Sequence, residues 1–135
     1  MNQTFNYFNP NPTVKFDKKT GRPKKWHKGD CVIRAFCCAL NKSWDEVFMG
    51  LCKIAAKQHD MPNADKVVEE YANENGMVKT SLIDYMRVRA FAEYYDGVYV
   101  VRVRGHMACV KNNQINDCWD CGRYQMKTYY TLLKK

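Results

Sequence analysis

The sequence predicts an α+β fold in which helices come first and an antiparallel sheet follows. Two changes of pattern along the chain carry that reading. Between residues 31 and 86 apolar side chains recur at helical spacing, whereas after Asp96-Gly97 they alternate as they do in strands. A block of helices followed by a block of strands makes a domain whose helices pack on one sheet, because neither layer can bury its apolar face alone.

The first helix is expected over Cys31 to Leu40, with Val32, Ala35, Phe36, Ala39 and Leu40 on one face. In the second, Ser43 and Glu46 form a capping box ahead of Val47, Phe48, Leu51, Ile54 and Ala55. A third begins near Asn63, buries Val67, Val68, Tyr71 and Ala72, and stops at Gly76. A short fourth helical segment starts near Ser81 with Leu82, Ile83 and Met86. Strand alternation follows at Tyr99, Val101 and Val103 against Val100, Arg102 and Arg104. His106 to Lys111 and Gln114 to Trp119 read as two strands around Asn112-Asn113, a turn-favouring pair, and Met126 to Leu133 reads as a fourth.

With 135 residues, 46% of them apolar and 27% charged, the chain suits one globular domain with a single core. No apolar run approaches the ~18 residues of a membrane helix, so no membrane partner is expected. The opening Met-Asn-Gln-Thr-Phe-Asn lacks the basic and apolar regions of a signal peptide, which makes the cytoplasm the expected location. Seven cysteines in such a chain are expected as reduced thiols. Cys37, Cys38, Cys52 and Cys109 sit among apolar neighbours as small core residues. Cys118 and Cys121 form a lone CxxC, a weak basis for zinc, and no metal or cofactor is expected.

Residues 1–28 are polar, basic and interrupted by Pro10, Pro12 and Pro23, and read as a loop or loosely attached arm ahead of a domain over 29–135. Much of the net charge of +8 lies in this arm, where Lys15, Lys18, Lys19, Arg22, Lys24, Lys25 and Lys28 face only Asp17. Such a patch can neutralise nucleic-acid phosphates, but a solvated surface is the favoured reading.

The chemistry is expected from three residues. Cys31 opens the first helix, where unpaired N–H groups carry partial positive charge and favour a thiolate. The same N–H groups suit an oxyanion, and Arg34, one turn on, adds positive charge. His106 begins a strand just after Gly105. If Asn112-Asn113 form the turn, Lys111 faces Gln114, and counting outward sets His106 opposite Trp119 with Asp117 as its diagonal neighbour on one face. Asp120 then points to the other face. A thiol, an imidazole base and a carboxylate that orients it are the parts of a nucleophilic cysteine site.

That arrangement resembles the papain-like cysteine peptidase fold, in particular small papain-like proteins of bacteria and their phages. The matching segments are Gly29-Asp30-Cys31-Val32-Ile33-Arg34-Ala35, Gly105-His106-Met107-Ala108 and Asn116-Asp117-Cys118-Trp119. The resemblance implies a nucleophile helix packed on the C-terminal antiparallel sheet, with Cys31 as nucleophile, His106 as base and Asp117 as orienting residue. It also implies that Trp119 shields the His106–Asp117 pair from water. Relatives of this kind carry Gln about six residues before the nucleophile to complete the oxyanion hole. Lys25 stands there in this chain, with Gly29, Lys28 or His27 as further candidates. The activity implied is hydrolysis of a peptide, isopeptide or other amide, or acyl transfer by the same parts, with a peptide or protein as substrate. The alternative is a catalytically silent binding protein on the same fold, its basic arm holding nucleic acid or an acidic partner.

Overall fold

The structure, a computed structural model, describes residues 4–82 and 84–132. Along the chain lie β1 (Phe5–Tyr7), α1 (Cys31–Leu40), α2 (Trp44–Gln58), α3 (Asp65–Glu74), β2 (Met77–Ser81), α4 (Val88–Tyr94), β3 (Val98–Val103), β4 (His106–Lys111), β5 (Gln114–Asp117) and β6 (Thr128–Leu132). The strands form one open sheet in the order β1-β5-β4-β3-β6-β2. The chain is therefore mixed α+β. Among the described residues no helix is long and apolar enough to cross a membrane.

Local sequence explains most boundaries. The Ser43–Glu46 capping box forms as expected: the Ser43 hydroxyl accepts from the Glu46 N–H, and Glu46 accepts from the Ser43 N–H. Asn112 and Asn113 both take positive φ, 57° and 59°, which is the two-residue turn that matches strand twist. The resulting register pairs Lys111 with Gln114, Val110 with Ile115 and Cys109 with Asn116, as the outward count requires.

Three parts of the fold differ from expectation. The helix expected from Ser81 is absent among the described residues. Met77–Ser81 instead pairs with β6 as an edge strand, and the helix begins later, at Val88. Ile83, part of that expected segment, lies outside the described residues, as does Leu133 at the end of β6. The sheet is mixed rather than antiparallel throughout, because β1 pairs parallel with β5. The N-terminal segment is thus no loosely attached arm. Asn6 Nδ2 donates to Asn116 Oδ1 at 2.9 Å, and Phe8 N–H donates to the Asp117 carbonyl at 2.9 Å. The Phe5-Asn6-Tyr7 alternation was the available signal, hidden by its Asn-rich surroundings.

The sheet is covered on both faces. Phe36, Leu51, Val67 and Tyr71 from α1, α2 and α3 pack with Val100, Met107 and Cys109 in one core. Val88 and Phe91 of α4 pack with Val101, Ala108, Val110 and Ile115 in the other. Consecutive residues of β4 enter opposite cores, as a period of two demands. Helix α1 lies between the sheet and α2 and is buried all round from Val32 to Ala39, not on a single stripe.

Asp30, the residue ahead of α1, ties the N-terminal segment to this core. Its carboxylate is 6% exposed and accepts from Asn11 Nδ2 (3.0 Å), Trp26 Nε1 (2.9 Å), Arg34 Nε (2.8 Å) and Trp44 Nε1 (2.9 Å). Burial opposes its charge, but these hydrogen bonds outweigh it and hold the carboxyl below its usual range. Its folded pKa lies below the unfolded one, so its contribution is complete above the unfolded value and fades as pH falls through the folded value. Asp30→Ala leaves Arg34 with Asp117 alone and removes the acceptor of Arg34 Nε and three further donors, and is expected to cost about 3 kcal/mol in urea unfolding at pH 7. A midpoint unchanged from the wild type would remove Asp30 from this role.

Candidate active site

The antiparallel β4–β5 hairpin places the start of β4 and the end of β5 at one end of the sheet. His106 is the first residue of β4 and Asp117 the last of β5. Their side chains meet there, with His106 Nε2 2.6 Å from Asp117 Oδ2. The two-residue turn Arg104-Gly105 presents His106, between the paired residues Val103 and His106. Gly105 takes φ +70°, a conformation side chains with a Cβ rarely adopt.

Helix α1 brings the third group. Cys31, His106 and Met107 line one cleft, and the His106 imidazole and the Met107 backbone N–H both act on the Cys31 thiol. Asp117 occupies Nε2, so the nitrogen left for Cys31 is Nδ1. Burial pushes the Cys31 thiol up, yet His106 and Met107, helped by Arg34, bring it below its ordinary value. Burial likewise pushes His106 down, but hydrogen bonds to Asp117 and Cys31 raise it to about 9. Both shifts move the pair toward a thiolate beside an imidazolium.

The supporting residues act differently from expectation in two cases. Arg34 does contribute positive charge toward Cys31, but its main contacts are elsewhere. Its Nε pairs with Asp30 and its Nη1 with Asp117 Oδ1, all three groups being buried. Cys118 N–H also donates to Asp117 Oδ1, at 2.7 Å. The carboxylate that orients His106 is therefore fixed at both oxygens. Lys25 is exposed and lines a surface hollow with Thr13, Lys15 and Lys28, and is not among the residues around the Cys31 cleft. Sequence reasoning missed Asp30 as the anchor of Arg34. Its i, i+4 spacing to Arg34 was the signal.

Trp119 lies over the imidazole, with ring centroids 4.5 Å apart and planes tilted by 39°. It is 39% exposed, so it covers one side of the ring while facing solvent itself. Asp120 lies beyond the end of β5 and pairs with Arg89 of α4 at 3.2 Å, so no strand face separates it from Asp117 as the count expected. Asp30 is the residue at the N-cap of α1 but gives no side-chain cap, since both its oxygens serve other donors. The first-turn N–H groups are thus left uncapped by that side chain beside the Cys31 sulfur.

All seven cysteines are free thiols. Cys37, Cys38 and Cys109 are buried as expected, whereas Cys52 is only half-buried. Burial pushes Cys37 and Cys121 up to about 12 and Cys118 up to about 11. Cys38 shifts down through a hydrogen bond with the Cys109 thiol, but it is 8% exposed. His106, Asp117 and Cys121 bring ligand atoms within 4.8 Å of one another, a spacing that could hold a metal ion. Asp117 is, however, already engaged by Arg34, His106 and the Cys118 N–H, and Cys121 holds its proton, so the donor set suits hydrogen bonding better. None of the family models, curated proteins and solved structures compared with this chain matches it.

Cys31 is expected to be alkylated first among the seven thiols by brief iodoacetamide treatment at pH 6, read by peptide mass spectrometry. His106→Ala removes the imidazolium, and one unit of upward pKa shift lowers the thiolate fraction about tenfold, so labelling slows by about that factor or more. Labelling of Cys31 no faster than of Cys37, or indifference to His106→Ala, would show that the pair does not form.

Proposed function

We propose that this chain is a papain-like cysteine hydrolase acting on an amide, with Cys31 as nucleophile, His106 as acid and base, and Asp117 as orienting residue. The observation that carries the reading is one imidazole held by Asp117 through Nε2 and sharing a cleft with Cys31 at the start of α1. The papain-like resemblance agrees with a nucleophile at the start of a buried helix and a histidine at the start of a strand.

In the proposed reaction the Cys31 thiolate attacks the carbonyl carbon, and the carbonyl π electrons move to oxygen. First-turn N–H groups of α1, including that of Cys31, stabilise the oxyanion. As the C–N bond breaks, His106 gives its proton to the leaving amine, and a thioester remains on Cys31. Neutral His106 then takes a proton from water as the water attacks the thioester. The acid is released and the thiolate–imidazolium pair is restored. Arg34 takes no proton in this scheme. It is a positioning residue, holding Asp117 through Oδ1 while Oδ2 holds His106.

The test is acyl turnover on an activated ester. p-Nitrophenyl acetate is expected to give a burst of nitrophenol and an acetyl group on Cys31 by mass spectrometry, both lost in Cys31→Ala. An intact wild-type protein that leaves Cys31 unacetylated would sink the hydrolase reading. The pH profile carries a second expectation. Hydrolysis of an amide needs the thiolate and the imidazolium together, so it rises as Cys31 deprotonates below 9.0 and falls as His106 deprotonates near 9. Asp117→Asn removes a carboxylate that raises His106, and the alkaline limb is expected to move to lower pH.

The silent binding alternative draws on one observation. Lys15, Lys18, Lys19, Arg22, Lys24, Lys25 and Lys28 are all exposed, and Lys18, Lys19 and Arg22 lie on a loop closed by the Phe16–Pro23 bridge and by Asp17, which accepts from the Lys19 and Thr20 N–H groups. As a solvated loop, it is expected to give no retardation of single- or double-stranded nucleic acid at low salt. A strong shift that disappears as salt rises would favour the binding reading.

A further inference from the structure

A cleft of about 330 Å³ opens beside Cys31 and His106, a volume that accommodates a side chain or two. Its wall is formed by the β3–β4 turn, by Asn63 ahead of α3, and by Lys127 ahead of β6. No acidic side chain lines it among the described residues, whereas Arg102, Arg104 and Lys127 all do.

The three cations are not equivalent. Arg102 Nη1 is paired with Asp65 Oδ1 at 2.6 Å, so its charge is largely balanced. Arg104 and Lys127 are exposed, and neither has an acidic partner within ion-pair distance among the described residues. Both are held by ordered backbone. Arg104 sits in the two-residue turn between the paired Val103 and His106, and Lys127 N–H donates to the Arg102 carbonyl at 2.9 Å. Arg104 and Lys127 thus place two positive charges on the cleft wall, with no acidic side chain among its lining to balance them. A cleft lined by one sign of charge concentrates ligands of the other sign.

We propose that this cleft selects acidic peptides, with an Asp or Glu side chain next to the scissile amide held between Arg104 and Lys127. The inference rests on the cysteine-hydrolase reading and names its substrate class. The carboxylate gains two charge-assisted contacts there, and a Lys or Arg side chain in the same place meets repulsion.

Two alkylating probes of equal size test it: iodoacetyl-glutamate amide and iodoacetyl-glutamine amide, which differ by one negative charge. In each the Cys31 sulfur forms the new S–C bond as iodide leaves. The wild type is expected to react with the glutamate probe about threefold to tenfold faster than with the glutamine probe at low salt. That ratio is expected to fall toward one in Arg104→Gln/Lys127→Gln, and in the wild type as salt approaches about 1 M, where the screening length is ~3 Å. The salt arm uses unaltered protein, so it holds even if the double variant folds poorly. A wild-type ratio near one at low salt, or a ratio that neither salt nor the double variant changes, overturns anion selection while leaving Cys31 reactivity intact. If neither probe labels Cys31 ahead of Cys37, the hydrolase reading fails and this inference fails with it.

Discussion

Arg34 joined to two buried carboxylates is the interaction on which the rest of the structure depends. Asp30, Arg34 and Asp117 are each less than 10% exposed, and Arg34 touches both acids. Burying an unbalanced charge costs several kcal/mol, so this cluster persists only with its partners complete. One guanidinium cannot balance two carboxylates. His106 meets the second of them, Asp117, and that carboxylate together with Cys31 raises His106 to about 9 despite its burial. The electrostatics of the core and the proton state of the site are one arrangement.

The same cluster links parts of the chain that are far apart in sequence. Asp30 gathers Asn11 and Trp26 from the N-terminal segment and Trp44 from α2, while Asp117 ends a strand of the hairpin. Strand β1 adds a second tie on the same spot, since Tyr7 is paired with Asp117 in the parallel register. The end of β5 is thereby held by β4 on one side and β1 on the other. A carboxylate fixed through its backbone and both oxygens holds a histidine in one orientation, which is what nucleophilic chemistry asks of its orienting residue.

Cysteine is common in this chain but its environments divide sharply. Cys31 sits at a helix start beside a cation and a backbone donor, and its thiol shifts down. Cys37, Cys118 and Cys121 differ because burial is not offset there, and their thiols shift up. Composition alone cannot tell these apart, since the difference arises from what packs on each sulfur. Position at the start of α1 was the only local clue, and His106, 75 residues away by number, provides the rest.

What the sequence by itself determined is whatever depends on neighbours along the chain. The capping box at Ser43, the positive-φ turn at Asn112-Asn113 and the Cys31 start of α1 are local, so they were legible. The hairpin count followed from that turn, because a period of two carries the register outward and sets His106 and Asp117 together. Tertiary structure decided the remainder. Met77–Ser81 has too little pattern to prefer strand, and becomes one because β6 presents an unpaired edge. Phe5–Tyr7 is likewise a strand only because β5 lies open to receive it. The true partner of Arg34 and the charge on the cleft wall were also decided at that level. Both depend on distances between side chains brought together only when the sheet closes against α1, and no spacing along the chain encodes them.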